Sequence, residues 1–275
     1  MSYKIICDSS SNLYRIDNIN YAYAPMKIIT SDREFEDNEF TNIEEMVEYL
    51  ATYKGKSGTS CPNINDWYQH FEGENEIYTV TITSNLSGCH NACIQAKNAY
   101  LADHPEAKIC VIDSLSTGPE MELIVEKIIE LKAAGKSFEE VCSEIEAYQK
   151  TTHLVFMLKS VNNLANNGRV NPALAKVIGF LSIRIVGKAS DEGTLEPLHK
   201  LKGAKKFLNT LMEVMEQHNY KGGKVIISHC DNEKEASMLA NLLKEKYGVE
   251  VKLRNNGALC SFYAEKGGFL IGYEG

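Results

Sequence analysis

Short β-branched runs that alternate with helical patterns constrain this chain more than any other feature of its sequence. Tyr3 to Cys7, Glu76 to Thr81 and Lys108 to Ile112 read as strands, and helical patterns follow the last two at about 89 to 101 and 119 to 134. Alternation of this kind covers a sheet with helices and returns each strand parallel to the one before, so it predicts a parallel sheet covered on both faces. Helix starts are marked by Thr41-x-x-Glu44 and Ser137-x-x-Glu140, both with capping-box spacing, and by Pro119 just inside the helix after Thr117-Gly118.

A second set of elements opens after the helix that ends near Gln149. A strand at His153 to Met157 leads to a Gly-containing loop at 166 to 168 and a helix around 173 to 181. Strands at 183 to 189 and 195 to 200 follow, then a long helix from about 203 to 218. Strand Lys224 to His229, helix 232 to 247, strand Glu250 to Leu253 and an apolar segment at 269 to 273 complete the half. The expectation is two packed α/β domains, 1–150 with a mainly parallel Rossmann-like sheet and 151–275 with a mixed sheet and helices. No Pro-rich or Gly/Ser-rich linker separates them, so a cleft between packed domains is a natural ligand site.

With 44% apolar residues in 275, the chain has enough material for a substantial core. Its net charge of -8 argues against nucleic acid as a partner, because phosphate contacts need clustered Lys and Arg. No run approaches the roughly 20 apolar residues of a membrane helix, and Asp8 arrives too early for a signal peptide. A cytoplasmic protein without integral membrane association is expected, transient contact with a membrane surface staying open. The cysteines Cys7, Cys110, Cys142 and Cys230 fall in strand and helix patterns and read as reduced thiols filling core space.

In a parallel α/β sheet, ligands collect at the carboxyl ends of the strands, where helix N-termini favour anions. Four such loops carry hydroxyls: Asp8-Ser9-Ser10-Ser11, Gly58-Thr59-Ser60-Cys61-Pro62, Thr83-Ser84-Asn85-Leu86-Ser87-Gly88 and Asp113-Ser114-Leu115-Ser116. Each Ser or Thr alone reads as a helix cap. Their convergence at one sheet edge would make a carboxylate or phosphate cradle, and neither a P-loop nor G-x-G-x-x-G occurs.

The order of these motifs resembles the DegV family of bacterial fatty-acid-binding proteins. The resemblance runs from Asp8-Ser-Ser through Thr59-Ser60-x-Pro62, Ser84-x-Leu86-Ser87-Gly88 and Asp113-Ser114. It continues with Asn167-Gly168-Arg169-Val170, Ser182-Ile183-Arg184, Gly193-Thr194-Leu195-Glu196-Pro197 and His229-x-Asp231-Asn232, covering nearly the whole chain. It implies the DegV-type fold, a long-chain fatty acid as bound ligand, and no cofactor. Thr59 and Ser87 would hydrogen-bond the carboxylate, with Ser60 and Ser84 nearby and Arg169 close to the head group. It further implies a separate ATP-dependent fatty acid kinase as partner, the acyl phosphate serving phospholipid synthesis, and a binding protein with no catalytic residue of its own.

One departure stands near the C-terminus. Where the family has a His-Thr-Gly-Pro-Gly run, this chain has Leu259-Cys260-Ser261-Phe262-Tyr263-Ala264-Glu265-Lys266-Gly267-Gly268, and Tyr263 stands at the place of the His. A phenol donates a hydrogen bond to a carboxylate but does not supply the charge of an imidazolium. For the tail, the apolar residues Leu174, Val177, Ile178, Phe180, Leu181, Ile183 and Ile185 are the candidates, plain core packing being their other reading.

Four constellations compete. Cys89 and Cys93 with His90 between them lack a second ligand pair for a metal, so no metal site is expected. Ser87 after a strand would suit a serine-dependent small-molecule hydrolase, but G-x-S-x-G is missing. His229 and Asp231 could be an acid/base pair, or a turn and a helix cap; the acid-rich stretch Ser31 to Glu39 could dock a basic partner, or be a solvated hairpin. A non-enzymatic regulatory protein with a structural lipid also stays open.

Overall fold

A computed structural model describes residues 2–170 and 183–275. Strands β1 (Lys4–Asp8), β2 (Asn20–Ala24), β6 (Glu76–Thr81) and β7 (Lys108–Asp113) form a parallel sheet in the order β2-β1-β6-β7. Ile5, Ile6, Cys7, Ile77, Tyr78 and Val80 are fully buried, which explains why these strands read as continuous apolar runs rather than as alternation. Helices α3 (Cys89–Asp103), α4 (Pro119–Ala133) and α5 (Phe138–Tyr148) follow β6 and β7. The second strand, β2, was not anticipated: its polar start Asn20-Tyr21 and the missing crossover helix before it give no strand–helix signal.

The expected Ser137 capping box is present, with Ser137 Oγ accepting from the Glu140 N–H and Glu140 accepting from the Ser137 N–H. The expected Thr41 box does not form. Thr41 gives its hydroxyl to the carbonyl of Glu36, so Asn42 caps α1 (Ile43–Thr52) by accepting from the Glu45 N–H at 3.1 Å. Between β2 and β6 a small antiparallel sheet, β3 (Lys27–Ile29), β4 (Glu34–Glu36) and β5 (Gly58–Ser60), runs in the order β4-β3-β5, followed by α2 (Ile64–His70).

The remaining strands are β8 (Thr152–Leu158), β9 (Ile183–Ala189), β10 (Leu195–Lys202), β11 (Val225–His229), β12 (Val251–Asn255) and β13 (Phe269–Glu274). They form a mixed sheet in the order β10-β9-β8-β13-β11-β12, in which only β11 and β12 pair in parallel. Its helices are α6 (Asn162–Asn166), α7 (Ala204–Gln217), α8 (Glu233–Tyr247) and α9 (Ala258–Ala264). The helix expected around 173 to 181 lies outside the described residues.

Strand β8 divides its side chains between two environments. Val155 and Met157 pack with Phe207 and Leu211 of α7 and Leu239 and Leu243 of α8, whereas Leu154, Phe156 and Leu158 join Cys260, Ala264 and Leu270 on the opposite face. Arg184 of β9 clamps Glu235 of α8 through two parallel hydrogen bonds of 2.6 and 2.7 Å, and that pairing holds the Glu235 carboxyl down at about 2 against the effect of its burial.

Helix α4 bridges the two large sheets. Its N-terminus lies on β13 where Gly272 has no side chain; a Cβ there would stand 2.5 Å from the Glu120 nitrogen. A second close approach occurs at the β9–β10 turn, where Gly193 has φ +75° and a Cβ would meet Thr83 Oγ1 at 2.3 Å and the Leu115 carbonyl at 2.8 Å. Asn85 holds the same turn through the Glu192 carbonyl at 2.6 Å. Gly193→Ala, strained in backbone and in contact, should lower stability by roughly 1–3 kcal/mol, read as a lower urea midpoint at unchanged slope.

Candidate functional site

A cavity of about 300 Å³ opens between the carboxyl edge of the parallel sheet and the Leu154/Phe156/Leu158 face of the mixed sheet. Leu86, Leu164, Leu195, Leu259 and Leu270 complete its apolar walls. Arg169 is the one charged side chain among the described residues that line it, and Thr59, Ser60, Ser87 and Tyr263 line it as well. An apolar cleft with a few convergent polar groups is the usual form of a small-molecule site.

Each polar group is placed by a different element. Thr59 and Ser60 lie on β5, whose pairing with β3 fixes Thr59 opposite Ile28. Thr59 Oγ1 and the Tyr263 phenol are 2.8 Å apart, so one of their two O–H protons is spent between them and the other is left to donate. Ser87 Oγ accepts from the Cys89 N–H at the start of α3, at 3.2 Å, which orients its own O–H outward from that helix start. Arg169 follows α6 and donates through Nε to the Leu86 carbonyl at 3.2 Å and through a second nitrogen to the Asn167 carbonyl. Those two carbonyls fix the plane of the guanidinium at the wall.

Tyr263 is carried by α9, and α9 is tied down from the first half of the chain. Asp37, in the acid-rich stretch, is fully buried rather than solvated, and its Oδ1 accepts from the Tyr14 hydroxyl at 2.7 Å and the Ala258 N–H at 2.6 Å. Asn12 accepts from the Gly257 N–H at 2.8 Å. The rest of that stretch is the expected hairpin, with Lys27 on Glu34 and Arg33 on Glu45 at its surface. Asn163 of α6 reaches the Phe262 carbonyl at 2.8 Å, so the elements bearing Arg169 and Tyr263 are joined.

The four hydroxyl loops do not behave alike. Asp8 is a buried strut: its carboxylate accepts from the Ile82 N–H at 2.6 Å and the Ser10 N–H at 3.0 Å, while burial holds its pKa above the usual range. Ser9 accepts from the Met26 N–H and Ser11 donates to the Asp8 carbonyl, so this first loop braces the sheet edge rather than facing the cavity. Ser84 does not line the cavity either. Asp113 takes its N–H at 3.1 Å, and its side chain is exposed.

Of the residues expected along the tail, Leu174, Val177, Ile178, Phe180 and Leu181 lie outside the described residues. Ile183 is half-buried opposite Lys202 at the end of β9 and is not among the lining residues, while Ile185 packs beneath the wall in the Phe156 cluster. Residues of β8 and β13 take the wall instead. A Leu-Val-Phe-Met-Leu run buried on both faces hides its two-residue period, which is why the sequence did not single out Leu154, Phe156 and Leu158.

The competing constellations separate in space. His90 Nδ1 meets Thr81 at 3.1 Å, the Cys93 thiol meets Thr79 and the Cys89 thiol meets Asp8, so the three share no common centre. Among the described residues no group of three or more His, Cys, Asp or Glu could hold a metal ion. Asp231 pairs with Lys266 at 2.7 Å, and His229 Nδ1 faces the Asn232 N–H, so they form no acid/base pair. Among the described residues no helix is long and apolar enough to cross a membrane.

Fold and site define a class: α/β proteins in which a parallel and a mixed sheet enclose an apolar cavity with an arginine and hydroxyls on its wall. The chain belongs to the DegV family, the model described as "Uncharacterised protein, DegV family" matching residues 2–274. A DegV domain-containing protein of Streptococcus pneumoniae is 42% identical over 100% of this chain and 99% of that one. Among solved structures, the Streptococcus pneumoniae fatty acid kinase (Fak) B3 protein loaded with linoleic acid matches with a TM-score of 0.97 at 42% identity, over 100% and 99% of the two chains. A DegV family protein from Eubacterium eligens loaded with heptadecanoic acid matches with a TM-score of 0.97 at 39% identity, over 99% of each. The two-sheet α/β architecture is that of these DegV structures.

Burial raises the Asp37 carboxyl to about 6, against an ordinary value near 4. The folded chain therefore keeps a proton that the unfolded chain has released, so the contribution of Asp37 to stability is full below about pH 4 and is lost as pH rises through about 6. Asp37→Asn removes this titration. The stability of the variant relative to the wild type should rise by on the order of 2–3 kcal/mol between pH 4 and pH 7, measured by denaturant unfolding at both.

Proposed function

We propose that the cavity holds one long-chain fatty acid, its carboxylate at Thr59, Ser60, Ser87, Arg169 and Tyr263 and its tail along Leu154, Phe156, Leu158 and Leu270. The observation that carries this reading is that Arg169 is the one charged side chain among the described residues lining a largely apolar cavity, and that it is set among hydroxyls. Apolar walls favour a chain of methylenes, and one fixed guanidinium with hydroxyl donors favours a single anion. Two relatives with the same architecture hold a 17-carbon and an 18-carbon acid. Burying about 14 methylenes at roughly 0.8 kcal/mol each gives on the order of 11 kcal/mol before the cost of association.

The protein acts as a carrier for a separate ATP-dependent fatty acid kinase and supplies no catalytic group. The name of the pneumococcal relative, fatty acid kinase (Fak) B3, supports that partner. The Ser87 lone pair is engaged by the Cys89 N–H, and His90, the histidine nearest in sequence, faces Thr81, an arrangement that favours donation to a carboxylate over nucleophilic attack. On this reading residues 1–150 form the domain that presents the head-group loops, and 151–275 the domain that shelters the tail in a cytoplasmic protein.

Organic extraction and native mass spectrometry of protein purified from a bacterial host should find a near-stoichiometric fatty acid. Ser87→Ala and Thr59→Val should each weaken fatty acid binding by roughly 1–3 kcal/mol, since each removes a donor from a buried acceptor. Incubation with ATP should give acyl phosphate only when a fatty acid kinase is added. An empty protein that refuses added fatty acids would overturn the ligand, and ester turnover lost in Ser87→Ala would favour a hydrolase.

A further inference from the structure

We propose that Glu265 is a positioning residue for Arg169: reaching from the end of α9, it closes the start of α6 and so sets the guanidinium where it selects a carboxylate head group over a neutral one. The inference rests on the fatty acid reading above and names the residue through which its head-group selectivity is set. Glu265 is not among the residues that line the cavity, so it acts through another.

The start of α6 has no cap of its own. The helix is five residues long, too short to hold its shape without outside contacts. Val161 stands at its N-cap and offers no side-chain acceptor. The acceptor comes from 102 residues further along the chain, where the Glu265 carboxylate takes the Asn163 N–H at 3.0 Å. Burial pushes the Glu265 carboxyl up, and the Ser160 hydroxyl and the N–H groups of Asn163 and Asn162 draw it back, so donors at this helix start hold the charge. Its own backbone is unusual: Glu265 closes α9 at φ +52° and ψ 173°, a conformation that only glycine adopts freely. A side chain is kept there against strain, and the cap is what it supplies.

From that cap a chain of hydrogen bonds runs unbroken to the guanidinium. Asn163, whose N–H meets Glu265, accepts at its carbonyl from Asn167 Nδ2 at 2.8 Å, and the Asn167 carbonyl accepts from the Arg169 side chain. The backbone is locked in the same sense. Gly168 turns at φ +70°, its N–H reaching the Ala165 carbonyl at 3.1 Å and the Arg169 N–H reaching the Leu164 carbonyl at 2.8 Å. Arg169 therefore moves with α6, and a shift at the start of the helix is carried to the cavity wall. A carboxylate loses a charge-assisted bond when the guanidinium shifts, whereas a neutral hydroxyl head group has little of that bond to lose. Asn163 Nδ2 still reaches the Phe262 carbonyl, so α6 keeps a second tie to α9 when Glu265 is changed.

The test is binding of radiolabelled stearic acid and stearyl alcohol to delipidated protein, on the wild type, Glu265→Gly, Glu265→Gln, Arg169→Gln and Glu265→Gly with Arg169→Gln. Glycine takes the backbone conformation without strain, so Glu265→Gly removes the carboxylate alone. It should weaken stearic acid binding about ten-fold and leave stearyl alcohol within about two-fold. Glu265→Gln, which keeps an acceptor oxygen for the Asn163 N–H, should restore most of the loss. The double variant should bind stearic acid no more weakly than Arg169→Gln. Equal losses for acid and alcohol, acid binding untouched by Glu265→Gly, no rescue by glutamine, or losses that multiply in the double variant overturn the inference and leave the fatty acid reading standing. A wild type that binds stearic acid no tighter than stearyl alcohol defeats the head-group reading as well, and one that binds neither defeats the fatty acid reading itself. If Glu265→Gly does not fold, Glu265→Asp, which draws the carboxylate back by one methylene, decides by the same selective loss.

Discussion

The two-residue period of β8 is the constraint on which the cavity depends. A strand sends alternate side chains to opposite faces, so the same backbone that packs Val155 and Met157 against α7 and α8 must present Leu154, Phe156 and Leu158 to the cavity. A one-residue slip would exchange the two sets, and the antiparallel pairing with β9 and β13 on either side forbids it. The wall is thus as rigid as the core behind it. A cavity that stays apolar and of fixed width suits a flexible chain of methylenes, which adapts to the wall instead of the wall adapting to it.

The polar end follows a different logic, because its groups come from elements far apart in sequence. Thr59, Ser87, Arg169 and Tyr263 stand on a small antiparallel strand, a helix start, the turn after α6 and a helix close to the C-terminus. Two buried carboxylates hold this assembly: Asp8 joins β1 to the start of the Ile82–Gly88 loop, and Asp37 joins the acidic hairpin to α9. Both sit above the ordinary carboxylate range through burial, so each depends on its hydrogen bonds to stay in place. Arg169 is the one charged side chain among the described residues lining the cavity, and of the bonded Thr59–Tyr263 pair one hydroxyl is left to donate.

How much of this was legible in the sequence varies with the range of the interaction that decides it. The β6–α3 and β7–α4 units, the Ser137 box and Pro119 at the start of α4 follow from residues within a turn or two, and they were readable. The resemblance singled out Thr59, Ser60, Ser84, Ser87, Arg169 and Tyr263 as a set, and all of them but Ser84 line one cavity. The role of Asp37 was not readable, since an acid among Asp32, Glu34, Glu36 and Glu39 looks solvated until α9, more than 200 residues on, arrives to cover it. Ser84 shares a motif with Ser87, but in a turn held by Asp113 its side chain is exposed while Ser87 lines the cavity. Leu154, Phe156 and Leu158 were hidden because burial on both faces erases the alternation that marks a one-sided strand.

Division of labour between the two ends bears on why such a cavity would serve a carrier. In the proposed complex nearly all the affinity comes from methylenes, a non-directional contribution that would hold the chain equally well a carbon higher or lower. Hydrogen bonds to the carboxylate add less affinity but are directional, so they set the depth at which the head group rests and the face it turns to a partner. A catalyst would need one of these groups to accept a proton or attack, whereas Arg169, the Ser87 hydroxyl and the remaining Thr59–Tyr263 proton are all positioned to donate. In the proposed complex, donors fixed by the fold at one end and a tail held by surface area would give a ligand that is bound tightly yet registered by its reactive end. That is the arrangement in which a second protein can supply the chemistry.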